Sequence, residues 1–294
     1  MNQPDPNIPF YRQMISLLRK AFDLLDEEGQ QEVLQFLNSQ QNADGGFMDR
    51  GGRSDLYYSL FGMMLLKAIG TEEQFPELVE GQPATEIREK LSQFIQSQSS
   101  TKVPGFIEQC CLALLQKEMK ISRISRIKTL VKLSRSFWKE RYSINLSYRS
   151  FVMFLTLDAV LPFRGLLQRF SGKMLSRVEV NEHSPCSEIA AKVFLLKMLD
   201  KDGAKEQQLL ISFASKSGGF RAFQHLEHSD MLSTAVALFA LQFAGSDLRL
   251  LKPASLDFIQ QNYFNGAFLS GDGDQTTDLE YTFYGLLALG TLTS

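Results

Sequence analysis

The chain has 294 residues, 44% hydrophobic and 22% charged, with 31 lysines and arginines against 33 acids. That balance excludes a disordered or fibrous chain, and a net charge of −2 argues against a dedicated nucleic-acid binder. Three scattered cysteines (Cys110, Cys111, Cys186) are too few for a disulfide framework. The longest charge-free run, Met231–Ser246, falls short of the roughly 20 apolar residues that cross a bilayer. Residues 1–10 have neither a basic start nor an apolar stretch, so the expectation is a soluble, cytoplasmic protein without a leader.

In chain order, residues 1–27 read as an N-terminal extension with a helix, and 28–294 as one domain of six helical hairpins. The first hairpin has an amphipathic segment, Glu32–Gln40, then Asp44-Gly45-Gly46-Phe47, then Ser54-Asp55 opening an apolar run to Gly70. The second has amphipathic Ile87–Gln98, then Gly105-Phe106 and Glu108 before an apolar run. The third opens with Lys120–Trp138, whose apolar residues Ile121, Ile124, Ile127, Leu130, Val131 and Leu133 recur at helical steps; Asn145 then precedes an apolar stretch. Ser187-Glu188 opens the fourth run. The fifth repeats the first closely: Phe213 to Gly218-Gly219-Phe220, then Ser229-Asp230 and an apolar run to Gly245. The sixth reads Phe258 to Gly266-Ala-Phe268, then Thr277-Asp278 and an apolar run to Gly290.

Self-similarity at a period near 45 residues is the signature of a repeat architecture. Each marker acid stands where a helix N-terminus favours a capping carboxylate. Each following run is apolar nearly all round, as a helix covered on both sides must be. The spacing therefore predicts an all-α fold, an α/α toroid, with inner helices near 54–69, 107–118, 144–160, 186–199, 229–244 and 277–292. No alternating strand pattern competes. One asymmetry remains: residues 117–177 hold 14 lysines and arginines against three acids, a field that suits a phosphate, an anionic membrane surface or an acidic partner.

The motif Gln-x-x-x-Asp-Gly-Gly-Phe, followed by Ser-Asp-x-Tyr-x-Ser/Thr-x-Phe, resembles the prenyltransferase and squalene-cyclase repeat. The resemblance covers roughly Leu34 to Leu292 and is most similar in look to a protein prenyltransferase β subunit. It implies an isoprenoid or prenyl diphosphate in a central apolar cavity, and a helical α-like partner subunit. In such β subunits an Asp-x-Cys-Tyr-Ser segment binds zinc, and a Tyr with an upstream Arg and Lys holds the diphosphate. Asp55, Tyr58 and Ser59 match that segment, and Arg50 and Arg53 resemble the cationic pair. Tyr57 occupies the cysteine position. Nor does histidine stand three residues after any marker, where Tyr58, Cys111, Tyr148, Ala191, Ser233 and Tyr281 are found. No cofactor and no family-type zinc site are therefore expected. Glu108 with Cys110, or His183, His225, His228 and Cys186, are the remaining metal candidates.

The resemblance also extends to class II terpene cyclases, whose Asp-x-Asp-Asp-Thr acid opens the same helix. Here Asp278-Leu279-Glu280-Tyr281-Thr282 retains an acid pair, and Asp278 and Glu280 are the catalytic candidates. A carboxylic acid among apolar walls would have a raised pKa and could protonate an alkene. The substrate-binding candidates are Arg50, Arg53, Asp55, Tyr57, Tyr58, Tyr148, Phe239 and Tyr281. A cavity of about 300 Å³ or more, walled by Tyr57, Tyr58, Tyr148, Phe151, Phe239 and Tyr281 among others, is expected. Three functions stay open: an isoprenoid-diphosphate enzyme, a non-catalytic lipid-binding or interaction scaffold, and a small cyclase using Glu280. Nucleic acid is not an expected partner. Membrane contact is expected at most peripherally, through residues 117–177.

Overall fold

The computed structural model describes residues 9–70, 77–79, 82–100, 105–139, 146–160 and 179–293. Its helices, in chain order, are α1 (Phe10–Leu24), α2 (Glu27–Ser39), α3 (Leu56–Ile69), α4 (Ala84–Ser100), α5 (Phe106–Glu118) and α6 (Arg123–Lys139). They continue with α7 (Leu146–Val160), α8 (Cys186–Met198), α9 (Ala204–Ile211), α10 (Met231–Ala244), α11 (Lys252–Gln261) and α12 (Leu279–Leu292). The six apolar runs became α3, α5, α7, α8, α10 and α12, which touch one another in that order and return from α12 to α3. The inner ring is thus closed, and the fold is an all-α α/α toroid. Outside it, α4 and α6 lie on α5, α9 lies on α8 and α10, and α11 lies on α12. The outer helix expected before α8 falls on residues 161–178, outside the described part.

The inner helices match their expected bounds to within two residues. The late starts of α3, α10 and α12 have one cause. Asp55, Asp230 and Asp278 stay extended and cap the helix rather than joining it. Asp55 accepts from the backbone N–H groups of Tyr57 (2.7 Å) and Tyr58 (3.1 Å), Asp230 from Ser233 (2.8 Å), and Asp278 from Tyr281 (2.8 Å). Four residues after each acid, a hydroxyl takes the amide N–H of the loop phenylalanine: Ser59 from Phe47 (3.0 Å), Thr234 from Phe220 (2.8 Å), Thr282 from Phe268 (3.3 Å). Those three rings are at most 1% exposed.

The loops also form short antiparallel ribbons that the sequence reading had not foreseen. Phe47–Met48 pairs with Ser54–Asp55, Glu77–Val79 with Gln82–Pro83, and Tyr263–Phe264 with Ala267–Phe268. Runs of two or three residues are too short for alternation to register. In the sixth loop Gly266 has φ +80°, and a Cβ there would stand 2.2 Å from the Glu32 carbonyl oxygen of α2. Glycine is therefore what lets the last loop press on the first outer helix.

Helix α1, read from sequence as an extension, packs across the C-terminal ends of the inner ring against α3, α7 and α12. Its first residue anchors it. The Phe10 ring lies 5.0 Å from those of both Phe194 and Phe243 and 5.8 Å from Phe154, and its amide donates to the buried Asp158 carboxylate at 2.8 Å. Arg19 donates to the Ala68 carbonyl at the end of α3 (3.0 Å). Gly290 of α12 makes room for the backbone at Leu17, whose oxygen would be 2.0 Å from a Cβ there.

Thr234→Val tests the loop anchor, because it preserves shape and removes the acceptor for Phe220. Leaving that buried N–H unpaired should cost about 1–3 kcal/mol. Urea unfolding of wild type and variant measures it, and equal midpoints would show that the hydroxyl does not hold the loop.

Candidate functional site

Three of the six inner helices, α3, α10 and α12, start on the same aspartate cap, and the marker positions bring equivalent residues of all six to the cavity. The sixth residue after each marker position is Phe61, Leu114, Phe151, Phe194, Val236 or Tyr284, one from each inner helix. All six line a central cavity of about 120 Å³. Further walls include Tyr57, Phe239 and Phe283, and the rings pack edge to face: Tyr57 on Phe61 at 4.5 Å and Phe151 on Phe194 at 5.0 Å. The floor is Tyr11 and Met14 of α1, and Tyr57, Ile107 and Ser187 mark the end nearest the inner-helix N-termini.

The cavity is smaller than expected. The sequence pointed to about 300 Å³ or more, whereas α1 crosses the lower end and fills part of the ring's interior.

Above Tyr57 the walls become polar where the first hairpin meets the sixth. The Tyr57 hydroxyl donates to Glu280 at 2.8 Å and lies 3.4 Å from the Tyr284 hydroxyl. Burial raises the Glu280 carboxyl above the ordinary glutamate range, against the opposing pull of the Tyr57 hydrogen bond. Asp278 places one oxygen on its helix cap and the other 2.5 Å from Arg50 Nε. Arg50 also reaches Asp274 at 3.4 Å and lies 4.8 Å over the Tyr281 ring. Burial raises the Tyr58 and Tyr281 phenols as well, so both remain neutral hydrogen-bonding groups.

The structure thus brings Arg50, Tyr57, Tyr58, Asp278, Glu280 and Tyr281 together, with Tyr57 and Phe239 on the cavity wall. Tyr58 and Tyr281, expected on the wall, belong to the rim instead; Tyr58 is about 100° further round its helix than Tyr57. Arg53 is not part of the cluster: it pairs with Asp49 at 3.3 Å and is 84% exposed. Asp55 is occupied as a helix cap. Tyr148 falls in the first turn of α7, and its side chain lies outside the described part. Sequence reasoning missed Phe61, Leu114, Phe194, Val236 and Tyr284. Counting six residues from each marker would have found them.

The zinc of the resembling β subunits does not fit these residues. Tyr57, in the cysteine position, offers a phenol already donated to Glu280, and the Asp55 carboxylate serves two backbone amides. Burial pushes the Cys110 thiol up to about 12 and raises Cys111 and Cys186 well above their ordinary value, so none is a ready thiolate. His183, His225 and His228 are exposed, and among the described residues no group of three or more His, Cys, Asp or Glu could hold a metal ion. Nor, among the described residues, is any helix long and apolar enough to cross a membrane.

A closed ring of inner helices around an aromatic cavity, with further helices outside it, defines an α/α-toroid protein. The family model for the prenyltransferase alpha-alpha toroid domain matches residues 10–103 and 178–294, and the chain belongs to that family. No curated protein and no solved structure gives a significant match.

A buried acid with a raised pKa leaves a mark on stability. Between its ordinary value and the raised one, the folded state holds the proton more firmly than the unfolded chain, so stability falls as pH rises. Glu280→Gln removes that proton. Wild-type stability relative to the variant should therefore decline as pH rises above about 4.5. A difference independent of pH, measured by urea unfolding across this range, would show that Glu280 titrates normally.

Proposed function

We propose that the protein binds the end of an isoprenoid chain in its central cavity. The observation that carries this reading is the ring of six equivalent residues at one depth, four of them aromatic, above an apolar floor. An apolar cavity of about 150 Å³ holds benzene, so a cavity of about 120 Å³ suits one isoprene unit. The remainder of a longer chain would leave past Tyr57. The charges at the rim favour a neutral head, an alcohol or an alkene, over a diphosphate. Arg50 already carries Asp278 and Asp274, and a diphosphate would have to displace both carboxylates.

A second reading rests on Glu280. A carboxyl whose pKa is raised by burial beside an aromatic cavity can, when protonated, donate its proton to an alkene, becoming a carboxylate while a carbocation forms on the hydrocarbon. The faces of Tyr57, Phe61 and Tyr284 would stabilise that cation. In this reading Glu280 is the donor, Tyr57 orients it, and Asp278 holds the helix start and Arg50. A purely binding role needs no donor.

Thermal denaturation with prenol, geraniol, farnesol and farnesyl diphosphate tests the first reading. Saturation at about a hundredfold excess over Kd adds about 2.7 kcal/mol, a rise of several degrees for a chain of this size. Val236→Trp, which fills the ring, should abolish the rise while leaving the protein folded. No stabilisation by any prenyl compound, or stabilisation that Val236→Trp leaves intact, would overturn the proposal. If farnesol and its diphosphate act equally, the head group is not read. Conversion of an alkene by wild type and not by Glu280→Gln would establish the second reading.

A further inference from the structure

Helix α6 carries an apolar stripe turned to solvent. Ile124 is 69% exposed, Ile127 60% and Val131 45%. At 100° per residue these three lie within about 60° of one another on the outward face. The opposite face packs inward through Thr129 and Leu133, which are 6% and 0% exposed. Arg135, Lys128 and Lys132 follow the stripe on one side, within about 80° of Ile124, and Arg123 borders it on the other. All four cations are exposed, and α6 has no acid along its length. The other large exposed hydrophobics among the described residues, such as Leu24, Leu226 and Leu250, are scattered singly.

The field around the start of α6 is positive for a second, independent reason. Lys67 at the end of α3 and Lys117 at the end of α5 are both lowered, first by burial and then by neighbouring cations. Those neighbours are Arg12, Arg88, Lys117 and Lys120 for Lys67, and Arg12 and Arg126 for Lys117. Glu118 pairs with Lys67 and accepts from Tyr11. Cationic groups therefore continue from the start of α6 toward the ends of α3 and α5, where Glu118 and Asp158 offset them in part.

We propose that α6 docks the protein on an anionic lipid bilayer, with Ile124, Ile127 and Val131 entering the interface and the flanking cations meeting the phosphates of the head groups. A helix with an apolar stripe bordered by lysine and arginine lies in the interface plane, and basic residues at its edges gain from the negative surface potential. Exposed apolar side chains flanked by cations on both sides, on a helix without an acid, match the charge of anionic head groups over an apolar interior. Such docking would bring the toroid to the phase in which long isoprenoids reside, and it holds whether or not the cavity binds one.

Co-sedimentation of the full chain with vesicles tests the proposal. One set is phosphatidylcholine alone, the other contains about 30 mol% phosphatidylserine, each at about 0.1 M and about 0.5 M salt. The expected result is partitioning onto the anionic vesicles at least about tenfold stronger than onto the neutral ones, and weakened by salt. Ile124→Ser/Ile127→Ser/Val131→Ser should reduce it at least about tenfold with an unchanged melting temperature, because the three side chains are exposed. Lys128→Glu/Lys132→Glu/Arg135→Glu should abolish it by a separate route. Absence of binding to anionic vesicles overturns the proposal, as does binding that neither variant alters. A concentration-dependent dimer that the serine variant dissociates would assign the stripe to a second copy of the chain and would equally overturn it.

Discussion

One hydrogen bond sets the level of three of the six inner helices: the hydroxyl four residues into the helix accepts the amide of the phenylalanine in the loop before it. Ser59, Thr234 and Thr282 each do this, and each acts one turn below a capping aspartate. The pair of contacts fixes both the start of the helix and its depth relative to the loop that the phenylalanine seals. Residues at equal offsets from the marker positions face one another across the ring. The cavity wall is a consequence of that registration. It does not require the repeats to be similar in any other respect, which is why Leu114 and Val236 can stand among aromatic rings in the same layer.

The architecture was legible because its signals are local. Gly-Gly-Phe, the capping acid and the all-round apolar run are each read within a dozen residues, and their recurrence is visible without knowing where any side chain points. The site was legible in part for the same reason. Arg50, Tyr57, Tyr58, Asp278, Glu280 and Tyr281 flank helix starts, and all helix starts share one end of a toroid. What the sequence could not supply was angular position. Tyr57 and Tyr58 are neighbours in the chain, yet one walls the cavity and the other belongs to the rim. Arg50 and Arg53 flank the same turn, yet Arg50 reaches across to the sixth hairpin while Arg53 folds back on Asp49.

Helix α1 shows a different limit. Its sequence carries no repeat marker, so it reads as an addition to the toroid. Its role depends on partners more than a hundred residues away: the Asp158 carboxylate, the Phe194 and Phe243 rings, and the backbone room left by Gly290. None of these has a sequence spacing that points back to Phe10. The consequence is functional as well as structural, since α1 floors the ring and reduces a space that the hairpins alone would leave larger.

Closure of a ring from one chain leaves a single junction that no repeat loop spans, between the last inner helix and the first. There the side chains and α1 must do what a connecting loop does elsewhere. Gly266 brings the sixth loop onto α2, α1 bridges α12 and α3, Arg50 ties the first loop to Asp278 and Asp274, and Tyr57 reaches Glu280. Polar groups are concentrated at this seam, where the two ends of the chain meet and directional contacts fix an orientation that apolar packing alone does not. The same concentration puts a carboxyl with a raised pKa beside the cavity. Structural closure and candidate chemistry therefore share residues. Replacing Arg50 would release the seam and the rim together, whereas Glu280→Gln keeps the side chain's shape and a carbonyl acceptor for Tyr57 while removing the titrating proton. That makes Glu280 the position at which chemistry can be separated from closure.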